Sequence, residues 1–242
     1  MCNRCRKRLT LELLEYLNGD RFLEVGFGSG DVMIALAQKG LRGTGVDLSE
    51  RAVQACDQRI RAAGLSERLD VRRADLLTLS DENEYDLAIA FEVLEHMEDD
   101  LGALTTLRQL LRPGGHLLMS VPAHRSKWGA TDVWAGHLRR YDRDDLRVTL
   151  QASGLVVCRF LSTGFPLLSL ARPIRNVIYR RALRSDDSRR HRTLRSGTSS
   201  PAPVRRLRWL IPAVSWLIYE SQKPFLYSDR GEEYFLVAQR AD

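Results

Sequence analysis

The chain predicts an α/β protein built on a doubly wound sheet, and three passages carry that expectation. Phe22 to Asp31 (FLEVGFGSGD) reads as a buried strand, a glycine turn and the start of a helix. Gly45-Val46-Asp47-Leu48 follows as a second strand that ends in an acid. Tyr85 to Glu92 is a continuous apolar strand of the kind buried on both faces of a parallel sheet. At 242 residues the chain is long enough for one such domain with a good core, plus a subdomain.

The glycine turn is the most telling element. Gly26, Gly28 and Gly30 alternate, so the turn can pack tightly and let a ligand lie against bare backbone. The amides of the helix that follows then point at that ligand. Asp47 stands close to the spacing at which a carboxylate at the tip of the second strand meets a ribose diol. A nucleoside-bearing cofactor is the first expectation. A dinucleotide site carries a further glycine where this chain has Asp31, and Glu24 lies two residues before the first glycine. Two carboxylates flanking the loop repel a pyrophosphate and suit a ligand with a cationic amine and a sulfonium. An ordinary glycine turn in some other α/β protein is the bland alternative.

The E-x-G-x-G-x-G pattern of Glu24 to Gly30 resembles the first motif of the class I S-adenosylmethionine-dependent methyltransferases. Further passages add to the resemblance in the right order. Leu69 to Leu76 reads as a third strand closing on Asp75. Val93-Leu94-Glu95-His96 is similar to the "VLEH" signature of many small-molecule methyltransferases. Leu101, Leu104, Leu107, Leu110 and Leu111 fall at helical spacing, and Arg112-Pro113-Gly114-Gly115 stops that helix. His116 to Pro122 supplies a fifth strand. The resemblance covers about residues 20–122.

It implies a seven-stranded, Rossmann-like sheet of order 3-2-1-4-5-7-6. The last two strands, Gly154–Leu161 and Glu233–Gln239, form the antiparallel pair. It also implies S-adenosyl-L-methionine as cofactor, held by Glu24, Gly26, Gly28, Gly30 and Asp47, with Leu48, Asp75, Leu76, Phe91 and Glu92 completing the contact set. In the family the position of Asp75 meets the adenine amino group.

Between the fifth strand and the next helix lies a loop with the pattern D-x-x-x-G-H-x-R-R-Y, Asp132 to Tyr141. It resembles a loop in a bacterial branch grouped with ubiquinone-type methyltransferases. Its aromatic side chains Trp128, Trp134 and Tyr141 could wall an acceptor, with Arg140 beside them, and a histidine could take the acceptor's proton. His96, directly after the fourth strand, is the first candidate base, His137 the second and His124 the third. Against this, Arg139, Arg140 and Tyr141 would serve equally well to tie the loop to the domain, and His96 to cap a helix or shape the cofactor site.

Charge is unevenly placed. The whole chain is +6, but Arg172 to Arg208 alone holds twelve arginines and two acids. Pro166 to Leu183 puts Leu167, Leu170, Ala171, Ile174, Val177 and Ile178 on one helical face, and Leu207 to Tyr219 carries Trp209 and Trp216. Residues 166–230 therefore read as a basic helical lid inserted into a methyltransferase domain of residues 1–165 and 231–242. The lid either leaves its arginines in water or meets an anionic membrane surface and a lipid-linked acceptor. Nucleic acid fits less well, since the aromatics are not interleaved with the arginines. An NAD-type oxidoreductase and a nonenzymatic cofactor-fold protein remain the alternatives from other classes.

Four cysteines suit a reducing cytoplasm, and Cys2-x-x-Cys5 is half a zinc site at most, so no metal is expected. No run of 18 apolar residues occurs. The expectation is a cytoplasmic enzyme, peripheral to the inner membrane surface where the basic segment engages it.

Overall fold

The computed structural model of the chain describes residues 3–17, 19–80, 82–183 and 211–241. Seven strands form one sheet of order β3-β2-β1-β4-β5-β7-β6. They are β1 (Arg21–Val25), β2 (Arg42–Asp47), β3 (Leu69–Arg73), β4 (Tyr85–Phe91), β5 (Leu111–Pro122), β6 (Leu155–Thr163) and β7 (Glu233–Arg240). The first five run parallel, and β7 lies antiparallel between β5 and β6.

Side chains alternate across each strand, so a sheet buried on both faces needs apolar residues at every position. In β4, Leu87, Ile89 and Phe91 enter one core and Ala88 and Ala90 the other. One face is covered by α4 (Asp100–Leu110) and α6 (Arg143–Ala152), through Leu104, Leu107, Leu146 and Leu150. The other carries α1 (Asn3–Leu13), α2 (Asp31–Gln38) and α3 (Glu50–Ala62), through Leu9, Met33, Leu36, Cys56 and Ile60. Each fully buried leucine stabilises the fold by about 1.5–3 kcal/mol.

Two boundaries differ from the sequence expectation. The helix ends at Leu110, because Leu111 already pairs with Tyr85 and so begins β5. The third strand ends at Arg73, and Asp75 instead caps a single 3-10 turn by accepting from the Leu77 amide.

Between β6 and β7 the chain forms α7 (Leu167–Leu183) and α8 (Ile211–Gln222). Residues 184–210 separate them, so Trp209 and most of the arginine-rich run lie outside the described residues. Helix α7 packs on α5 (Ala130–Ala135), and α8 packs on α1. Leu167 and Leu168 reach the core, but Leu170 is 72% and Ile174 66% exposed. The apolar face read from the sequence is thus split: its start packs inward and its middle faces solvent. On α8, Trp216 is 60% exposed.

Candidate active site

The glycine turn opens the site. Gly26, Gly28 and Gly30 all have positive φ, a region that side chains with a Cβ rarely adopt. A Cβ on Gly30 would lie 2.3 Å from Cys56 Sγ, and one on Gly26 2.8 Å from Val93 Cγ2. Both positions therefore need glycine for space as well as for conformation. Gly30 is the N-cap of α2, which turns the first amides of that helix toward the loop. Asp47 at the tip of β2 accepts from the Gly28 amide at 3.0 Å and the Ser49 amide at 2.8 Å. Burial pushes its carboxyl above the usual range, and those amides oppose the shift.

The two acids flanking the loop differ. Asp31 pairs with Arg59 at 2.7 Å and accepts from the Ser29 hydroxyl. Burial works against its charge, but these partners hold it below the usual carboxylate range. Glu24 is almost wholly buried, and burial pushes its carboxyl up to about 8. Asp31 thus has a cation partner in Arg59, whereas burial biases Glu24 toward its neutral form.

One cavity of about 440 Å³ runs from this loop along the carboxyl ends of the parallel strands to the turn after β4. Glu24, Gly26, Gly28, Asp47, Leu48, Asp75, Leu76, Phe91 and Glu92 line it, together with His96, Trp134, His137 and Arg140. Gly30 is the exception among the expected cofactor contacts, since its surface is turned into the α2–α3 packing.

The far end is built by residues from separate segments. Glu92 follows β4 with φ +56, a strained conformation for a non-glycine residue, and the 3-10 turn Leu94–His96 comes directly after. His96 and His137 meet edge to face with ring centroids 5.0 Å apart. Asp132 is buried, accepts from the Gly129 amide and Arg140 Nε at 2.8 Å, and lies 3.1 Å from His137 Nδ1. Burial opposes its charge, but His137 and Arg140 hold its carboxyl below the usual range. The opposite ring nitrogen of His137, Nε2, stands 3.7 Å from Glu95 Oε1. Glu95 is fully buried, and burial followed by the nearby Glu92 raises its carboxyl well above the usual range.

Glu95, His96 and His137 offer atoms within 4.8 Å of one another, the donor types a divalent metal takes. Local Cys/His spacing, on which the sequence search for a metal rested, has no means of finding a set drawn from two distant segments. Cys2, half of the only Cys-x-x-Cys pair, lies outside the described residues.

Three expected acceptor-site residues are elsewhere. His124 lies outside the cavity lining, with Nδ1 3.4 Å from the Tyr234 hydroxyl and Nε2 3.7 Å from Asp229. Trp128 is 44% exposed and takes no part in the lining. The buried Tyr141 hydroxyl donates to Asp100 at 3.0 Å and is also 3.3 Å from the Leu94 carbonyl, fixing the start of α4 to the His96 turn. The loop folds back on the domain at its two ends, where Ala123 pairs with Tyr141 and the His124 amide donates to the Tyr141 carbonyl, while Trp128 follows the 3-10 turn Arg125–Lys127. Arg140 does both jobs, lining the cavity and donating to the Ala123 carbonyl.

Sequence reasoning missed several lining groups. Arg6 on α1 meets Glu233 at 2.9 Å and Glu92 at 3.6 Å. Burial would raise the Glu233 carboxyl, but Arg6 overrides it and holds it at about 2. Arg175 and Tyr179 from α7 complete the wall, with Tyr179 edge to face on Trp134 at 5.0 Å. Asp132 stood in the quoted loop pattern, five residues before His137 across one short helix, which was the available signal.

Sheet order, glycine loop and β2 acid together define the class, a Rossmann-like methyltransferase fold of the S-adenosylmethionine-dependent kind. The chain belongs to the methyltransferase domain family, which it matches over residues 3–159. A ubiquinone biosynthesis O-methyltransferase of Alkalilimnicola ehrlichii is 32% identical over 120 residues, 49% of this chain and 48% of that protein. One from Rhizobium leguminosarum is 28% identical over 155 residues, 58% of this chain and 61% of its own length. The chain spans about half the length of the curated relatives it matches. Among solved structures, the cyclase SpnF has a TM-score of 0.64 at 22% identity, covering 97% of this chain and 80% of the other. Geranyl diphosphate methyltransferase, solved with GPP and sinefungin, scores 0.60 at 17% identity over 97% and 77%. These likenesses show a shared fold, and a cyclase among them illustrates that fold alone does not fix chemistry.

Proposed function

We propose that this protein transfers a methyl group from S-adenosylmethionine to an oxygen, nitrogen or carbon atom of a small-molecule acceptor. The observation that carries the reading is the single cavity joining the glycine loop and Asp47 to the His96–His137 pair. The residues present fit the cofactor. Glu24 Oε2 is buried without a hydrogen-bond partner among the described residues, as suits a group awaiting a ligand ammonium. Glu24 would take that amine, Asp47 the ribose hydroxyls and Asp75 the adenine.

When bound, S-adenosylmethionine supplies an electrophilic methyl carbon on its sulfonium. The protein's part is to hold the acceptor in line, exclude water and remove a proton. Positioning can contribute roughly 7–11 kcal/mol in favourable cases, and a base a further factor of about 10²–10⁴. His137 and His96 are the proton acceptors in this reading. Trp134, Tyr179 and Arg140 wall the acceptor end.

Isothermal titration tests it. S-adenosylmethionine should bind and NADH should not, and Asp47→Ala should weaken the cofactor by at least about tenfold, the loss of a charge-assisted pair. An unchanged dissociation constant in that variant would sink the assignment. NADH binding instead would favour the oxidoreductase.

A second reading concerns where the acceptor comes from. The exposed apolar row of Leu170, Ile174 and Val177 on α7, with Arg180 and Arg181 beside it and Val214, Trp216 and Leu217 exposed on α8, supports contact with an anionic membrane surface and a lipid-linked acceptor. Among the described residues no helix is long and apolar enough to cross a membrane. Co-sedimentation with anionic and neutral vesicles at low salt decides. Failure to pellet with anionic vesicles would leave residues 166–230 as a lid alone.

A further inference from the structure

The wall where α7 packs on α5 carries more positive charge than its acids can match. Lys127, Arg140 and Arg175 share two buried acids there, Asp132 and Glu232. Arg140 donates to Asp132, which also faces His137, through Nε and to the Ala123 carbonyl through Nη1. Glu232 lies between the other two cations, with Oε2 3.3 Å from Arg175 Nη2 and Oε1 3.5 Å from Lys127 Nζ. Lys127 also donates to the Arg230 and Gly231 carbonyls. Glu233, the next residue, turns to Arg6 instead, as does Glu92. One cation is left over on this wall.

Arg175 is the group left short. A guanidinium offers five N–H donors in a fixed fork and does not lose its proton in proteins. The bond to Glu232 is the one hydrogen bond Arg175 makes among the described residues, and its Nε is buried without a partner. Burial pulls the guanidinium below its usual range, and Glu232 opposes this only in part. Arg175 lines the cavity, and so does Tyr179, one turn further along α7. Tyr179 and the cavity-lining Trp134 meet edge to face, which leaves an aromatic corner beside the guanidinium.

We infer that this wall is the subsite for an acidic group on the acceptor, a carboxylate carried by an aromatic ring, and that Arg175 is the residue that selects it. A planar carboxylate meets a guanidinium fork in two parallel bonds, stronger than neutral ones. Its single negative charge matches the one cation left over, whereas a phosphate monoester, at about −1.5 to −2, overshoots it. The ring lies against Trp134 and Tyr179, whose faces and edges suit an aromatic partner. Glu92 and Glu233 around Arg6 offer no such place for an anion. The inference rests on the methyl-transfer reading and names its acceptor class, an aromatic acid.

Calorimetry on the full chain, saturated with S-adenosylhomocysteine and again without it, compares 3,4-dihydroxybenzoate with catechol, two probes that differ by the carboxylate alone. The acid should bind at least about tenfold more tightly, the size of one hydrogen bond to a charged group. Equal affinities in the wild type, or binding of neither probe, overturn the inference without any variant. Benzoate should bind at least as tightly as phenyl phosphate, and the reverse order would overturn the choice of a carboxylate. Arg175→Gln should bring 3,4-dihydroxybenzoate and catechol within about twofold of each other. Arg175→Lys should keep part of the preference, since lysine supplies the charge without the fork. Both probes weakened alike in Arg175→Gln would make Arg175 a strut between α7 and Glu232, and would overturn the inference. Should that variant not fold, the Arg175 Nε–H resonance of the wild type, assigned by its loss in Arg175→Lys, gives the same answer. It should shift with 3,4-dihydroxybenzoate and hold still with catechol, and an unmoved resonance overturns the inference. The two readings fail differently: no S-adenosylmethionine binding sinks methyl transfer, whereas the preference for the acid is read in the cofactor-free protein too.

Discussion

The two ends of the cavity are built by opposite strategies. The glycine-loop end comes mainly from Glu24 to Arg59, with Asp75 and Leu76 added after β3, and two of its acids find partners nearby: Gly28 and Ser49 amides on Asp47, Ser29 and Arg59 on Asp31. The histidine end gathers side chains from α1, the turn after β4, α5, α7 and the start of β7, and most of its buried acids are held by arginines from another segment. The first end recognises a ligand that hardly varies, so backbone geometry suffices. The second must shape itself to one acceptor, and it relies on a mutually dependent charge network. A single substitution should therefore act locally at the first end and spread at the second.

The largest effect expected is on turnover. His137→Ala and His96→Ala should lower it by about 10²–10⁴ if they remove a base, with cofactor affinity nearly unchanged. Both variants retaining wild-type turnover on the true acceptor would leave positioning as the whole of catalysis and make the two ends more alike than argued.

Next comes stability at the histidine end. Arg140→Ala strands Asp132 as a buried acid without its arginine, and should cost about 3–5 kcal/mol in chemical denaturation. A cost below about 1 kcal/mol would mean that Asp132 had found another partner and that the network is looser than its geometry.

Glu24 gives a smaller, pH-dependent contrast at the loop end. Its folded-state pKa of about 8 lies above the ordinary value of 4.5, so the folded protein keeps a proton the unfolded chain releases. That contribution is fully present below about 4.5 and is lost as pH rises through about 8. Glu24→Gln should therefore match the wild type in acid and exceed it in melting temperature near pH 8, without ligand. A constant difference across pH would discount the burial of this carboxyl.

Smallest per residue is the surface effect. Each basic side chain near an anionic membrane is worth up to about 1 kcal/mol and is screened within a Debye length, about 10 Å at 0.1 M salt. Vesicle binding should fall steeply with salt, and Trp216→Ala should weaken it several-fold. Salt-independent binding would point to apolar insertion rather than charge.

Legibility followed the same division. The strand–loop–helix passage, Asp47 and the first five strands along the chain could be read because each depends on a few consecutive residues: apolar runs, glycines, an acid at a strand tip. Arg6 was not readable as a site residue, since nothing in a basic amphipathic helix says that its fourth residue will meet Glu233, which lies on the last strand. His124, Trp128 and Tyr141 were readable as a chemically rich loop but not as residues outside the cleft lining, because contacts with distant residues such as Tyr234, Asp229 and Asp100 set where His124 and Tyr141 lie.

The sequence by itself determined the first strands, the glycine cradle and the acid that closes it, because strand patterning and left-handed turns are imposed within a few residues by backbone sterics; the order of the seven strands followed only from the resemblance to a family. Only the tertiary structure decided which of the histidines share the cavity, which arginine holds which acid, and that Asp132 stands behind His137. Those outcomes depend on side chains brought together from segments as much as 227 residues apart, where burial multiplies every electrostatic interaction and one pairing excludes another.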